Sequence, residues 1–271
     1  MSAVTKVGGI NTAEVKSHPQ GTPCWAELST TDEKGALAFY GGLFGWKDDP
    51  QPMGPGQFYH MQQVRGLVAS AIAQQVPEEK AHKVPTHWRT YLAVTNADDA
   101  AKKMAAAGGK VVLSPFDVFD AGRMAMVMDP QGAMFGLWQA KAHIGYRVVD
   151  EPGAIAWNEL LTTDPVKAGA FYRSVLGVAV EKAPMPGMEY TLMKVAGKDA
   201  AGIMKIGPEM GAIPPNWMVY FHTVDVEATV KRAQSLGGKL MMPAMDVPGV
   251  GRFAGLMDPQ DGAFAVFKPA L

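Results

Sequence analysis

The sequence predicts an α+β fold of two tandem halves, each made of two β-α-β-β-β modules. Three observations carry that prediction. The stretch Trp25-Ala26-Glu27-Leu28, followed by Asp32, Phe39-Tyr40 and Gly45, returns in the same order as Trp157-Asn158-Glu159-Leu160, Asp164, Phe171-Tyr172 and Gly177. A second series also returns. Trp88-x-x-Tyr91, Gly108-Gly109-Lys110, Asp117-Val118, Gly122-Arg123 and Asp129-Pro130-Gln131 reappear as Trp217-x-x-Tyr220, Gly237-Gly238-Lys239, Asp246-Val247, Gly251-Arg252 and Asp258-Pro259-Gln260. Within each half, strand-like alternation gives way to helical spacing and returns to alternation, twice over.

Residues 1–20 lack periodicity and read as an N-terminal arm. Cys24 to Ser29 reads as a strand with Trp25 and Glu27 on one face and Ala26 and Leu28 on the other, because strand side chains alternate. Asp32 is the expected helix N-cap, since its repeat partner Asp164 precedes Pro165, a residue favoured at the first helical position. Thr30-x-x-Glu33 offers a capping box as the alternative. Ala36, Leu37, Tyr40, Leu43 and Phe44 form one apolar face. Met53 to Gly56 reads as a turn, with room for a short strand around Trp46 before it. Phe58 to Val64 and Leu67 to Gln74 read as a hairpin about Arg65-Gly66. The second module follows: a strand from Trp88 to Thr95, a helix from Asp98 to Ala107 stopped by Gly108-Gly109, and strands at Val111 to Leu113, Met124 to Met128 and Ala133 to Gln139. Asp129-Pro130-Gln131-Gly132 supplies the last turn. The division is 21–140 for the first half, 141–152 for a linker and 153–271 for the second half.

The bulk numbers exclude several classes. Apolar residues make up 48% of the 271, enough for a sizeable core, and 25 Lys and Arg face 26 Asp and Glu for a net charge of −1. No basic run suggests nucleic acid, and neither a signal peptide nor a membrane span is visible, so a cytoplasmic location is expected. A lone cysteine, Cys24, rules out an intrachain disulfide and a cysteine-rich zinc site. It reads as a buried thiol beside Trp25, with a nucleophile as the alternative. Gly249-Val250-Gly251-Arg252-Phe253-Ala254 fits a dinucleotide fingerprint in letters only, because a strand rather than a helix follows it.

The Asp-led helices ending in Phe39-Tyr40 to Gly45 and Phe171-Tyr172 to Gly177, with the Asp129 to Gly132 and Asp258 to Asp261 turns, resemble the vicinal oxygen chelate superfamily. That superfamily includes glyoxalase I, bleomycin-resistance proteins and extradiol dioxygenases. More narrowly, the chain is similar to tandem glyoxalase-like proteins of bacteria. The resemblance covers roughly residues 21–271. It implies two glyoxalase-like domains, each a curved half-barrel sheet with helices on the convex side and a ligand on the concave side. In the metal enzymes, inward His, Gln or Glu side chains from four strands hold one divalent ion. Carried over, those positions fall on Trp25 and Trp157, near Ala71 or Ile72 and Gly202 or Ile203, near Thr90 and Val219, and on Gly136 and Ala265. They supply no metal-ligand set, so no metal or other cofactor is expected and a divalent ion is the disfavoured alternative.

The site expected in its place is an aromatic-carboxylate pair in each cup. Glu27 and Glu159 are the catalytic candidates. Ligand-binding candidates are Trp25, Tyr59, Trp88, Arg123 and Trp138 in the first half, and Trp157, Tyr190, Trp217 and Arg252 in the second. For the pair, the competing reading is that the Trp plugs the cup and the Glu pairs with an arginine from another strand. For Arg123 and Arg252 it is a clip to Asp117 and Asp246. For the Tyr and Trp candidates it is core packing. Eighteen methionines suit the packing of the cups and hint at a tolerant apolar cavity. The expected function is small-molecule binding. The alternative is a glyoxalase-like lyase or isomerase, or a dioxygenase-related enzyme, acting on a small oxygenated substrate with Glu27 or Glu159 as base. The expected partner is a small molecule, with the chain a monomer or homodimer.

Overall fold

The computed structural model describes residues 14–183 and 189–270. Most of the expected arm lies outside the described residues. The first half runs β1 (Pro23–Thr30), α1 (Glu33–Phe44), β2 (Lys47–Gly54), β3 (Gln57–Val64), β4 (Leu67–Gln74), α2 (Pro77–Ala81), β5 (His87–Ala93), α3 (Ala97–Ala106), β6 (Lys110–Val118), β7 (Gly122–Met128) and β8 (Met134–Ala140). The second half repeats it, with a 3-10 turn at Pro208–Met210 in place of α2, as β9 (Ile155–Thr162), α4 (Pro165–Leu176), β10 (Ala179–Lys182), β11 (Tyr190–Val195), β12 (Lys198–Lys205), β13 (Asn216–His222), α5 (Val226–Ser235), β14 (Lys239–Val247), β15 (Gly251–Met257) and β16 (Ala263–Pro269).

Each half is one open eight-stranded sheet, ordered β2-β3-β4-β1-β5-β8-β7-β6 and β10-β11-β12-β9-β13-β16-β15-β14. The two modules of a half therefore meet along the antiparallel pair β1/β5 or β9/β13. Local chemistry sets the helix starts. Asp32 accepts a hydrogen bond from the Gly35 amide and Asp164 from the Lys167 amide, while Gly45 and Gly177 close the same helices in left-handed conformation. The turn expected at Met53 begins later, because β2 is a full edge strand. Its Pro50 and Pro52 suit an edge, where no second neighbour needs their missing N–H.

The halves are clasped reciprocally on their helix faces. Tyr40 of α1 donates to Asp258 of the second half at 2.9 Å, and Tyr172 of α4 donates to Asp129 of the first at 3.2 Å. Each aspartate also caps its own turn, taking the amides of Gln260 and Gly262, or of Gln131 and Ala133. Trp88 donates to the Tyr40 hydroxyl and Trp217 to the Tyr172 hydroxyl. The second glycine of each Gly-Gly-Lys repeat lets the other half's phenylalanine approach. A Cβ at Gly109 would stand 3.1 Å from Phe171, and one at Gly238 would stand 2.9 Å from Phe39. The two β-sheets also touch directly where Thr90 meets Asn158. With helix faces turned inward, the concave faces are turned outward.

Candidate functional site: two unlike cups

Strand register decides which side chains enter a cup. Trp25 pairs with Tyr91 and Glu27 with Arg89 across β1/β5, so all four share the face away from the helices. Glu27 lies beside Ala71 on β4, and Tyr91 beside Gly136 on β8. The second half places Glu159 beside Gly202 and Met218, and Tyr220 beside Trp157 and Ala265. The centre of each cup is thus one carboxylate, one phenol and two small residues. The small residues are needed for space. A Cβ at Gly136 would meet the Tyr91 ring at 2.0 Å, and one at Gly202 would meet the Tyr190 hydroxyl at 1.9 Å.

In the first cup Trp25 Nε1 donates to Tyr59 Oη at 2.8 Å, and Tyr59 Oη donates to Glu27 Oε2 at 2.6 Å. Glu27 Oε1 accepts from Tyr91 Oη at 2.7 Å and from Arg89 at 3.0 Å. Arg89 also contacts Glu79 of α2, which accepts from Ser29 Oγ at 2.8 Å. Burial opposes the charge on Arg89, but Glu27, Tyr91 and Glu79 outweigh it and hold its pKa above the usual range. Burial likewise pushes Glu79 up, yet Arg89 and Ser29 bring it below its ordinary value.

The linker closes this cup. The His143 ring meets Trp25 edge-on at 4.6 Å and lies 5.7 Å from Trp138, whose Nε1 donates to the His143 carbonyl. Tyr146 donates its amide to the Cys24 carbonyl, Arg147 donates its amide to Val68, and His18 donates to the Tyr146 carbonyl. A Cβ at Gly145 (φ +103°) would strike the Cys24 carbonyl at 2.0 Å, so glycine lets the linker lie against β1. Burial, then the neighbouring His18, lowers the His143 pKa to about 4, keeping the imidazole neutral. Beyond the linker, a cavity of about 460 Å³ is lined by Lys16, Val68, Asp120, His143, Ile144 and Arg147.

The second cup keeps the phenols and loses the cation. Trp157 Nε1 donates to Tyr190 Oη at 2.9 Å, and Tyr220 Oη donates to Glu159 Oε2 at 2.7 Å. Met218 stands where the first cup has Arg89. Burial raises the Glu159 pKa, and hydrogen bonds from Tyr220 and Tyr190 offset only part of that. Trp157 is partly exposed, unlike Trp25 at 4%.

The structure therefore brings together Trp25, Glu27 and Tyr59, with Trp138 under the linker, and separately Trp157, Glu159 and Tyr190. Four candidates go elsewhere. Trp88 and Trp217 do not line a cup, because β5 and β13 point them to the helix face, where they bond Tyr40 and Tyr172. Arg123 does not stand at a cup mouth. It forms a two-pronged pair with Asp98 of α3, at 2.7 and 2.9 Å, with Asp117 beyond at 3.5 Å. Arg252 is likewise held by Glu227 of α5 and by Asp246. Thr90 and Val219 also face inward between the halves, so the neighbouring residues that enter the cups are Tyr91 on β5 and Tyr220 on β13. Arg89, Glu79 and His143 join the first cup. Arg89 follows from correct strand parity, whereas α2 and the linker left no periodic signal.

These central positions do not fit a divalent ion. Each cup offers one carboxylate already bonded to phenols, beside alanine and glycine, and among the described residues no group of three His, Cys, Asp or Glu side chains could hold a metal.

Residues 24–137 and 143–266 each match the family model described as Glyoxalase/Bleomycin resistance protein/Dioxygenase superfamily. "Putative glyoxylase CFP32" of Mycobacterium tuberculosis is 42% identical over 253 residues, 93% of this chain and 96% of the relative. "Anthracycline biosynthesis protein DauV" of Streptomyces sp. (strain C5) is 35% identical over 261 residues, 92% and 93% of the two chains. Among solved structures, a Mn(II)-bound glyoxalase from Novosphingobium aromaticivorans superposes with TM-score 0.64 at 14% identity, covering 92% of this chain and 82% of that one. The 2,3-dioxygenase LapB from Pseudomonas sp. KL28 gives 0.63 at 10% identity, with 94% of each chain covered. At those identities the likeness is one of fold.

Proposed function

Because this chain belongs to the glyoxalase/bleomycin resistance protein/dioxygenase superfamily, we propose that it binds a small molecule on a concave sheet face without a divalent ion at the family position. The observation that carries this reading is the make-up of the cup centres. Glu27 and Glu159 have their oxygens engaged by tyrosine hydroxyls, and neither their strand neighbours Ala71 and Gly202 nor Gly136 and Ala265 beside Tyr91 and Tyr220 offer a side-chain donor to a metal. Indole faces beside a carboxylate suit a flat, largely apolar ligand fixed by a few hydrogen bonds. The relative named for anthracycline biosynthesis supports a flat polycyclic ligand class.

The test is metal content of the purified protein, followed by thermal unfolding with Ni²⁺, Zn²⁺, Mn²⁺ or Fe²⁺. The expected result is no stoichiometric metal and no concentration-dependent stabilisation. A specific ion at a hundredfold its Kd would add about 2.7 kcal/mol, and that result overturns the reading.

A second reading, a lyase or isomerase acting on a small oxygenated substrate, is favoured by one observation. Burial raises the Glu159 pKa above the ordinary carboxylate value, a direction that suits proton transfer. Its measure is deuterium uptake from D₂O at carbon in small 2-hydroxycarbonyl compounds, abolished by Glu159→Gln. Uptake that survives Glu159→Gln removes Glu159 from that role.

A further inference from the structure

We propose that only the second cup takes the ligand, a flat apolar molecule presenting a hydrogen-bond acceptor to Glu159, and that the first cup is filled by the chain's own linker with His143 in the ligand's place. This rests on the metal-free small-molecule reading and names the site and ligand class within it.

The two cups share their central aromatic-carboxylate pair and differ in what surrounds it. In the first, Trp25 is covered by His143 and Tyr146, with ring centres 4.6 and 5.6 Å away. The covering segment is tied down by backbone hydrogen bonds to Cys24 and Val68, so it belongs to the fold. An aromatic ring edge-on to Trp25 and beside Trp138 occupies the volume a flat ligand would need. In the second, no aromatic ring packs on Trp157 among the described residues, and the indole is partly exposed.

Charge differs in the same direction. Glu27 is tied to Arg89, and through it to Glu79 and Ser29, so its cup presents a closed ion-pair network. Glu159 faces Met218, and the wall continues through Leu192, Met204, Phe253 and Phe267, all partly exposed. Methionine and phenylalanine walls adapt to flat apolar surfaces. Glu159 accepts hydrogen bonds from Tyr220 and Tyr190. A protonated Glu159 then has an O–H to give, and a ligand carbonyl can receive it. The burial that favours this protonated form supports the geometry.

The probe is 1,8-dihydroxyanthraquinone, a flat molecule with carbonyl acceptors, titrated into the full-length protein by calorimetry and tryptophan quenching. One equivalent is expected to bind. Met218→Arg gives the second cup the first cup's cation and is expected to weaken binding at least tenfold. Trp157→Ala does the same without introducing a charge into the sheet. Arg89→Met is expected to change the affinity less than twofold, and His143→Ala to add a second, weaker equivalent. Two equivalents on the unaltered protein, or binding lost in Arg89→Met and kept in Met218→Arg and Trp157→Ala, overturns the inference and leaves the metal-free reading standing. A stoichiometry that stays at one in His143→Ala overturns the part assigned to the linker. No binding of the anthraquinone overturns the ligand class. Binding that requires added metal sinks the metal-free reading itself.

Discussion

Asp258→Ala is expected to cost about 3–5 kcal/mol of stability, a large share of the roughly 5–15 kcal/mol that holds a folded domain. Asp258 is fully buried, and three donors depend on it: the Tyr40 hydroxyl and the amides of Gln260 and Gly262. Alanine leaves all three without that acceptor, and each buried orphan costs about 1–3 kcal/mol. The Tyr40 hydroxyl would still accept from Trp88 at 3.0 Å but would have lost its own acceptor. Asp129→Ala should behave alike, since Tyr172, Gln131 and Ala133 repeat the arrangement. Urea unfolding of the two variants measures this. A double-mutant cycle of Tyr40→Phe with Asp258→Asn then isolates the contact between halves from the turn cap. If Asp258→Ala costs less than about 1 kcal/mol, the reciprocal clasp is not what joins the halves.

The clasp shows what the sequence held and what it withheld. Phe39-Tyr40 and Asp258-Pro259 are visible as repeated motifs, and local rules explain the helix that carries the first and the turn made by the second. That each tyrosine reaches the other half's aspartate is a pairing of residues 218 positions apart in one case and 43 in the other, which no periodicity reports. The same boundary runs through the site. Alternation along β1 was enough to set Trp25 and Glu27 on one face, because the strand's own apolar face was unambiguous. Trp88-Arg89-Thr90-Tyr91 was ambiguous, since either parity buries an aromatic residue. Only the pairing of Glu27 with Arg89 across β1/β5 sends Trp88 to the helices and Arg89 to the cup. The edge strand β2 was masked by its own prolines. The linker shows no pattern at all, because its role depends on one ring landing on Trp25.

Glutamine in place of the two cup carboxylates should shift stability in opposite directions, although Glu27 and Glu159 are repeat partners. Glu159 is buried and raised in pKa by that burial, with Met218 rather than a cation opposite it on β13. The folded state therefore holds its proton to higher pH than the unfolded chain, whose glutamate titrates near ~4.3. Below that value both states are protonated and the group contributes nothing further. As pH rises from there toward the raised folded pKa, the folded state binds more protons than the unfolded one. Stability then falls at about 1.4 kcal/mol per pH unit until the folded carboxyl also ionises. Glu159→Gln keeps an oxygen to accept from Tyr220 and removes this titration. It should stabilise the protein at pH 8 and converge on the parent below about pH 4. Glu27→Gln removes one anion from a network that still contains buried Arg89, now balanced by Glu79 alone. Breaking a buried pair from one side costs about 3–5 kcal/mol, and the surviving Glu79 contact places the expected loss nearer 2 kcal/mol. Thermal unfolding of both variants from pH 4 to 8 decides the matter. Equal losses at pH 8 would mean that the two cups share one electrostatic design, and that Met218 does not distinguish the second from the first.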